Sequence, residues 1–201
     1  QNGGSLGWVA LSVSGKISND GTIRNNPSGN ELWLELFGDL HNNGTWKPAQ
    51  TYIVSQQNQT ISQTKGKVFT GVIRKCGYEA STDTFSLIAA SDIMINAKSF
   101  DGNGYKDGTY FWGKFDMRGY NLTLRGGTSF SKTIVTNVDT FSCLDSSAVS
   151  SITVEKAVTL GGRFTVTDSK VTFNGDVTVR DTVQNGGSLG WVALSVSGKI
   201  S

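Results

Sequence analysis

The chain has 201 residues, with 18 Lys and Arg against 16 Asp and Glu, a net charge of +2 and only 17% charged residues. Charge this thin and balanced excludes a nucleic-acid footprint, which needs Lys and Arg gathered on one face, and no apolar run reaches the length of a membrane span. Twenty-five glycines, two prolines and an apolar set built mainly from Val, Ile, Leu and Phe suit short strands joined by tight turns and disfavour long helices.

The first predicted element is the alternating row Leu11, Val13, Gly15, Ile17, which returns at a step of 23 as Leu34, Leu36, Gly38, Leu40. The turn segments that follow also align, 19–23 (NDGTI) with 42–46 (NNGTW). A period of two places alternate side chains on one face. When such a row recurs at a fixed step, the economical fold is a β-solenoid, because one turn cannot bury its apolar row until a neighbour stacks on it. The Asn and Gly positions supply turn chemistry, and Asn19 and Asn42 are expected to stack as an amide ladder. Lys16 and Asp39 alternate charge at one position of the coil.

Between positions of about 50 and 145 the 23-residue step fades. Strands are predicted at 86–95, 110–115, 122–124 and 132–138, separated by longer loops or an inserted hairpin. Candidate chemistry in this first two-thirds of the chain is sparse. Glu31 and Glu35 flank Trp33 on one strand face; a glycan-cleaving site would need carboxylates lined up across neighbouring coils, and a solvated face is the preferred reading. His41 stands alone in a turn. Asp101, Asn103 and Asp107 alternate with glycines as calcium ligands do, but Tyr105 and Trp112 occupy the fifth and twelfth positions of the loop, so a Gly-rich hairpin turn serves as well. Segment 105–115 carries Tyr105, Tyr110, Phe111, Trp112 and Phe115: exposed, an interface for another chain or a glycan; buried, a cap on the core. Trp33 and Trp46 face the same choice. Cys76 and Cys143 with a single histidine cannot make a zinc site; a disulfide and two buried thiols both stay open. Three Asn-x-Thr sequons, at Asn43, Asn58 and Asn121, and the segment Asp181-Thr182-Val183, a weak O-glycosylation pattern, carry no further expectation.

Towards the end, Val171, Phe173, Gly175 and Val177 precede Leu194, Val196, Gly198 and Ile200 by the same step of 23. Positions 184–201 repeat positions 1–18 without a mismatch, at an offset of 183. A tandem array explains this more naturally than an added strand. One unit spans 1–201, with 184–201 beginning the next and the pattern already under way at Gln1, as in a piece of a larger precursor. A 183-residue period holds about eight 23-residue coils, roughly 38 Å of axial rise at ~4.8 Å per strand.

Segments 15–23 and 38–46, followed by 51–61 (TYIVSQQNQTI), resemble the giant repetitive surface proteins that gliding and predatory bacteria export by the type IX route. The resemblance covers positions 9–70. It implies a right-handed parallel β-helix in a secreted, cell-surface adhesin or filament subunit, of the kind used as a grappling hook. Its expected partners are neighbouring repeats of the same chain, laterally associated copies in a multi-chain fibre, and a cell-surface or glycan target. Fold class is therefore expected to be all-β, a solenoid of 23-residue coils with a loop- or hairpin-bearing middle. The expected role is structural and adhesive, without catalysis and with no cofactor beyond the calcium reading of the 101–107 loop. The alternative is a carbohydrate-binding or carbohydrate-active β-helix.

Overall fold

The computed structural model describes residues 7–27, 29–55, 57–77, 85–106, 109–167, 170–186 and 193–201. Among them are 23 strands and no helix. The strands stack in parallel as a β-solenoid of about eight turns with a spacing of roughly 21 residues.

Three ladders run along the axis. The first joins Trp8–Val13, Glu31–Leu36, Gln50–Ser55, Val72–Gly77 and Ser99–Asp101 to the leading parts of Ser129–Thr136 and Ala148–Glu155, the trailing part of Val158–Val166, and Thr182–Asn185. Its in-register column reads Leu11, Leu34, Thr51, Ile73, Phe100, Phe130, Val149, Val166, Asn185. The second ladder opens with Ile17, Leu40, Ile61 and Ala89. Beside these runs a second inward column of the same ladder, Gln59, Leu87, Phe115, Val135, Val154, Phe173 and Val196. The third ladder opens with Ile23 and Trp46, passes through Phe69 to Ile95 and continues to Leu124 and Cys143. Beside them stack Ile93, Leu122, Phe141, Leu160 and Val179.

Alternation sets what faces inward. Strands such as Leu122–Leu124 and Val171–Phe173 bury their outer two residues and leave the middle one half-exposed. The inward residues fuse into one continuous core. Aromatic rings thread it: Phe100 stacks on Phe130 at 4.7 Å and 19°, and Phe130, Phe141 and Phe164 continue edge to face at 5.7 and 5.3 Å, geometries that add to the burial itself. The predicted amide ladder is present. Asn19 Nδ2 donates to Asn42 Oδ1 at 2.9 Å, and each Asn Oδ1 accepts the N–H two positions on, Gly21 and Gly44. Gly44 is required there, since a Cβ would collide with the Gly21 carbonyl oxygen one rung below.

The coil length is not uniform. The step is 23 at both ends, as in Leu11 to Leu34 and Val171 to Leu194, and 19 through the later coils, as in Phe130 to Val149 and Phe141 to Leu160. In those shorter coils a single left-handed residue, Lys132 (φ 51°) or Ser151 (φ 49°), turns the chain between the first and second ladders. At that same corner residues 102–112 separate the first-ladder strand Ser99–Asp101 from the second-ladder half of Thr109–Asp116. This connection holds the predicted hairpin, Asn103–Lys106 paired antiparallel with the leading half of Thr109–Asp116. In the later coils the other two corners stay tight and stack left-handed residues rung upon rung: Arg118, Asn137 and Lys156 at one, Gly126–Gly127 over Asp145–Ser146 at the other.

Because Phe130 touches rings above and beside it, Phe130→Ala should lower stability by about 3–5 kcal/mol and shift the thermal midpoint of the whole solenoid. Urea denaturation followed by circular dichroism checks this; a loss below about 1 kcal/mol would mean that the ring column carries little of the core.

Candidate functional site

Four places on this scaffold carry candidate chemistry, and the first is the duplicated rung itself. In the opening copy Leu11, Ser12 and Val13 pair with Leu34, Glu35 and Leu36, and Ile17 pairs with Leu40. In the closing copy Leu194, Ser195 and Val196 pair with Val171, Thr172 and Phe173, and Ile200 bridges Val177. The same residues thus pair through opposite edges, at a step of 23 in both directions. They also sit on different sides of the coil: Leu11–Val13 opens the first ladder, whereas Leu194–Val196 closes the second. Among the described residues the remaining edge of each copy is bare: Leu11 is 51% exposed, and Leu194 and Ile200 are 45% and 64% exposed. Gly198 meets the Asp176 carboxylate and the Gly175 backbone, where a Cβ would not fit, whereas the identical Gly15 has open space. Gly38 in turn lies against the Gly15 carbonyl. The predicted column Leu11, Val13, Gly15, Ile17, Leu34, Leu36, Gly38, Leu40, Val171, Phe173, Gly175, Val177 is therefore what the rungs are made of.

The second place is an outward strip on the first ladder. Trp8 and Trp33 stack at 4.6 Å and 15°, Tyr52 follows at 5.8 Å, and the Arg74 guanidinium lies 5.7 Å from the Tyr52 ring. Trp33 follows Trp8 by one coil plus two positions, which makes them diagonal neighbours on the outer face; that arithmetic could have been read from the sequence. Trp33 Nε1 donates to Glu31 at 2.9 Å, and the Ser12 hydroxyl donates to Glu35. Both carboxylates are thus engaged on an open strand face, with oxygens held by neighbours rather than aimed into a cleft. His41 lies on strand Leu40–Asn42, 2.8 Å from the Ser62 hydroxyl, where a turn had been expected. Trp46 is no surface contact: it is 1% exposed, packed edge-on against Phe69 at 5.7 Å, with its indole N–H on Thr51. Its inward position follows from pairing with Ile23.

The third place is the corner that holds the hairpin. On the hairpin, backbone register sets Tyr105 opposite Tyr110, Gly104 opposite Phe111 and Asn103 opposite Trp112; Trp112 is half-buried. Asp101 sits 3.4 Å from the Lys132 ammonium, Asn103 is placed by its backbone, and Asp107 lies outside the described residues. Among the described residues no three His, Cys, Asp or Glu side chains converge as metal ligands do. Beneath the hairpin lies Lys75, 2% exposed and the one charged side chain among the buried described residues. A Cβ on Gly113 would come within 2.9 Å of its stem. Sequence patterning missed Lys75 because it occupies an inward position whose neighbours in the column, Leu36 and Ile53, are apolar.

The fourth is a groove of about 680 Å³ outside the third ladder, bounded by Lys65, Asp92, Met94, Tyr120, Asn121 and Thr140 among others. It exists because the 117–121 turn is longer than its counterparts 90–92 and 137–139 in the adjoining coils, and carries Tyr120, 38% exposed, over the edge.

Cys143 is a free, buried thiol, which rules out its pairing with Cys76. Burial pushes its pKa up to about 12, partly opposed by a backbone hydrogen bond from Thr165. The sequon residues are occupied in inter-rung bonds: Asn43 donates to Asp20, Asn58 accepts from Ser86 N–H and Asn121 from Thr140 N–H. Among the described residues no helix is long and apolar enough to cross a membrane. Compared with protein-family models, with characterised proteins and with solved structures, the chain finds no match.

The thiol gives a test of the core. A folded pKa raised above the unfolded one contributes stability that is complete below pH 9 and is lost as the pH climbs towards 12, by at most about 1.4 kcal/mol per pH unit. The difference in stability between the native chain and Cys143→Val should therefore change with pH above 9 and stay flat below it. At pH 8 the folded chain should resist alkylation at Cys143 until it unfolds. A thiol there that reacts at the rate of a free cysteine would contradict its burial.

Proposed function

We propose that this chain is a structural repeat of an extracellular fibre or adhesin, stacked end to end into a continuous rod and acting without catalysis. The observation that carries the reading is the duplicated rung, whose two copies pair through opposite edges at the same 23-residue step. Put together, the two halves specify one seam: Val171 beneath Leu11, and Leu34 above it. An array built this way leaves no bare apolar edge between units, and a solenoid with bare ends invites pairing with other chains. Backbone hydrogen bonds support the same order, since the Asp176 carboxylate accepts the Lys199 backbone N–H at 2.8 Å and the Asp39 backbone oxygen, on the far side of the Lys16 rung, accepts the Ile17 N–H.

The seam also sets how units follow one another. Because the second ladder of one unit runs into the first ladder of the next, each unit advances by whole coils plus one side of three. Successive units in the rod are therefore turned by about a third of a revolution, and the hairpin faces the same way again only at every third unit.

Export to the bacterial cell surface by the type IX route, lateral association into a multi-chain fibre and attachment to a cell-surface target belong to the same proposal. They rest on the sequence resemblance and on the hairpin of residues 103–112, an aromatic-bearing insertion on one side of the unit. Loops of this kind vary without disturbing the scaffold beneath them and are where binding residues collect.

A second reading, a carbohydrate-binding β-helix, has the Tyr120 groove in its favour: an aromatic ring beside carboxylate, amide and hydroxyl groups suits a sugar. A panel of neutral and acidic polysaccharides tests it, with Tyr120→Ala as control. Binding that falls at least tenfold in the variant would favour this reading, and no binding by either protein would dispose of it.

The rod reading is checked by shortening. A chain of residues 1–183 ends on the rung that fits beneath residues 8–18, so separate copies should join head to tail and form filaments visible by electron microscopy. The 201-residue chain should do so far less at equal concentration. Equal, monomeric behaviour of both in light scattering would refute the seam.

A further inference from the structure

We infer that separate copies of this chain exchange terminal rungs: residues 194–200 of one copy replace residues 11–17 of another against its 34–40 rung. The duplication and the observed registers carry this, and it holds for the isolated chain whether or not longer arrays exist.

The incoming rung is chemically identical to the one it displaces, so it meets Leu34, Leu36 and Leu40 as the opening rung already does within one copy. It gives up nothing to do so. Leu194, Val196 and Ile200 hold Val171, Phe173 and Val177 through the edge opposite to the one that would face Leu34. The displaced rung is, like the closing one, paired along one edge only, with Trp8 48% and Leu11 51% exposed. Terminal elements with one paired edge open locally at the lowest cost. For positions 11–17 the arriving rung restores what the departing one releases, which is the condition under which exchange of an identical element is a low-cost route to association.

Docking of two copies end to end without exchange is disfavoured by the same residues. It would set Leu194 on Leu11, but also Lys199 on Lys16. The Lys16 N–H would then face a lysine where the closing copy has the Asp176 carboxylate beneath Lys199. In the exchanged arrangement Lys199 lies next to Asp39, as Lys16 now does.

The outward pair Ser12 and Glu35, directly opposite in register, supplies the experiment. One preparation carries Ser195→Cys. A second carries Glu35→Cys and a third Ser12→Cys, and they are mixed pairwise under mild oxidation and run on non-reducing gels. Exchange predicts a disulfide-linked dimer from the 195 and 35 mixture, lost when an excess of the peptide of residues 1–18 competes for the 34–40 edge. A dimer from the 195 and 12 mixture alone would mean simple end docking and overturn the inference, as would no dimer above that of the unsubstituted chain. Should a cysteine variant fail to fold, uptake of a fluorescent 1–18 peptide by the unaltered chain decides the matter: a rise in anisotropy that unlabelled peptide reverses supports exchange, and no rise rejects it.

Discussion

Every feature of this molecule answers to one constraint: a rung of a parallel solenoid must satisfy two neighbours at once, in register, along both edges. A strand at the rim has half its backbone hydrogen bonds and half its apolar row unmet, so the fold is stable only as a stack. In places, like residues stack on like, as Phe100 on Phe130 and Val135 on Val154. Some buried polar residues also satisfy one another across rungs. Asn19 satisfies Asn42, and at a corner the Thr128 hydroxyl accepts from Ala97 while Thr128 N–H donates to Ser147. An unpaired amide in that core would cost about 1–3 kcal/mol, enough to matter in a scaffold of short strands.

The same constraint confines variation. A residue added within a strand would invert its alternation and drive the apolar row outward, so extra length can enter only where the chain turns. Three corners are available, and the described hairpin insertion sits at the one between the first and second ladders. At the others the later turns are locked to their neighbours: Asp116, Asn137 and Lys156 bond in series, 2.8 and 2.6 Å apart, and Arg125 pairs with Asp145 at 3.0 Å. The first-to-second corner of the later coils is made by a single left-handed residue, Lys132 or Ser151.

The ends of this chain were legible in the sequence because both use 23-residue coils with intact alternation and an apolar row broken at one glycine. Rung composition and the amide ladder were readable there, and in the middle of the chain the hairpin was one of two expectations, longer loops being the other. The later coils were not, because the spacing drops to 19 when a corner shrinks to one residue, and a comparison at 23 passes over Leu122, Phe141, Leu160 and Val179 without alignment. Uneven coils also hid the extra third of a turn: dividing the repeat by a single coil length returns a near-whole number, whereas the pairings place Leu11 and Leu194 on different sides. Trp46 was ambiguous for another reason. An aromatic in a three-residue strand gives too short a run for alternation to decide its side, and only its partners Ile23 and Phe69 place it. The Tyr120 groove was invisible, since it arises from the difference between one turn and its neighbours, and that is a property of the stack.

The two edges of a rung are unlike, and this gives the stack its direction. Carboxylate oxygens at the corners reach forward along the chain: Asp39 accepts from Thr60 N–H, Asp92 from Asn121 N–H and Asp176 from Lys199 N–H. Hydroxyls reach the other way, with Ser147 and Ser91 accepting from Thr128 and Gln63 of the preceding coil. A rung presented upside down would bring acceptor to acceptor at these points and leave both unsatisfied. Apolar columns alone would tolerate many matings, since Leu on Leu and Val on Val fit in several orders. The polar corners narrow that freedom, and the duplicated rung is seen resting on Val171–Phe173 in its closing copy and lying beneath Glu31–Leu36 in its opening copy.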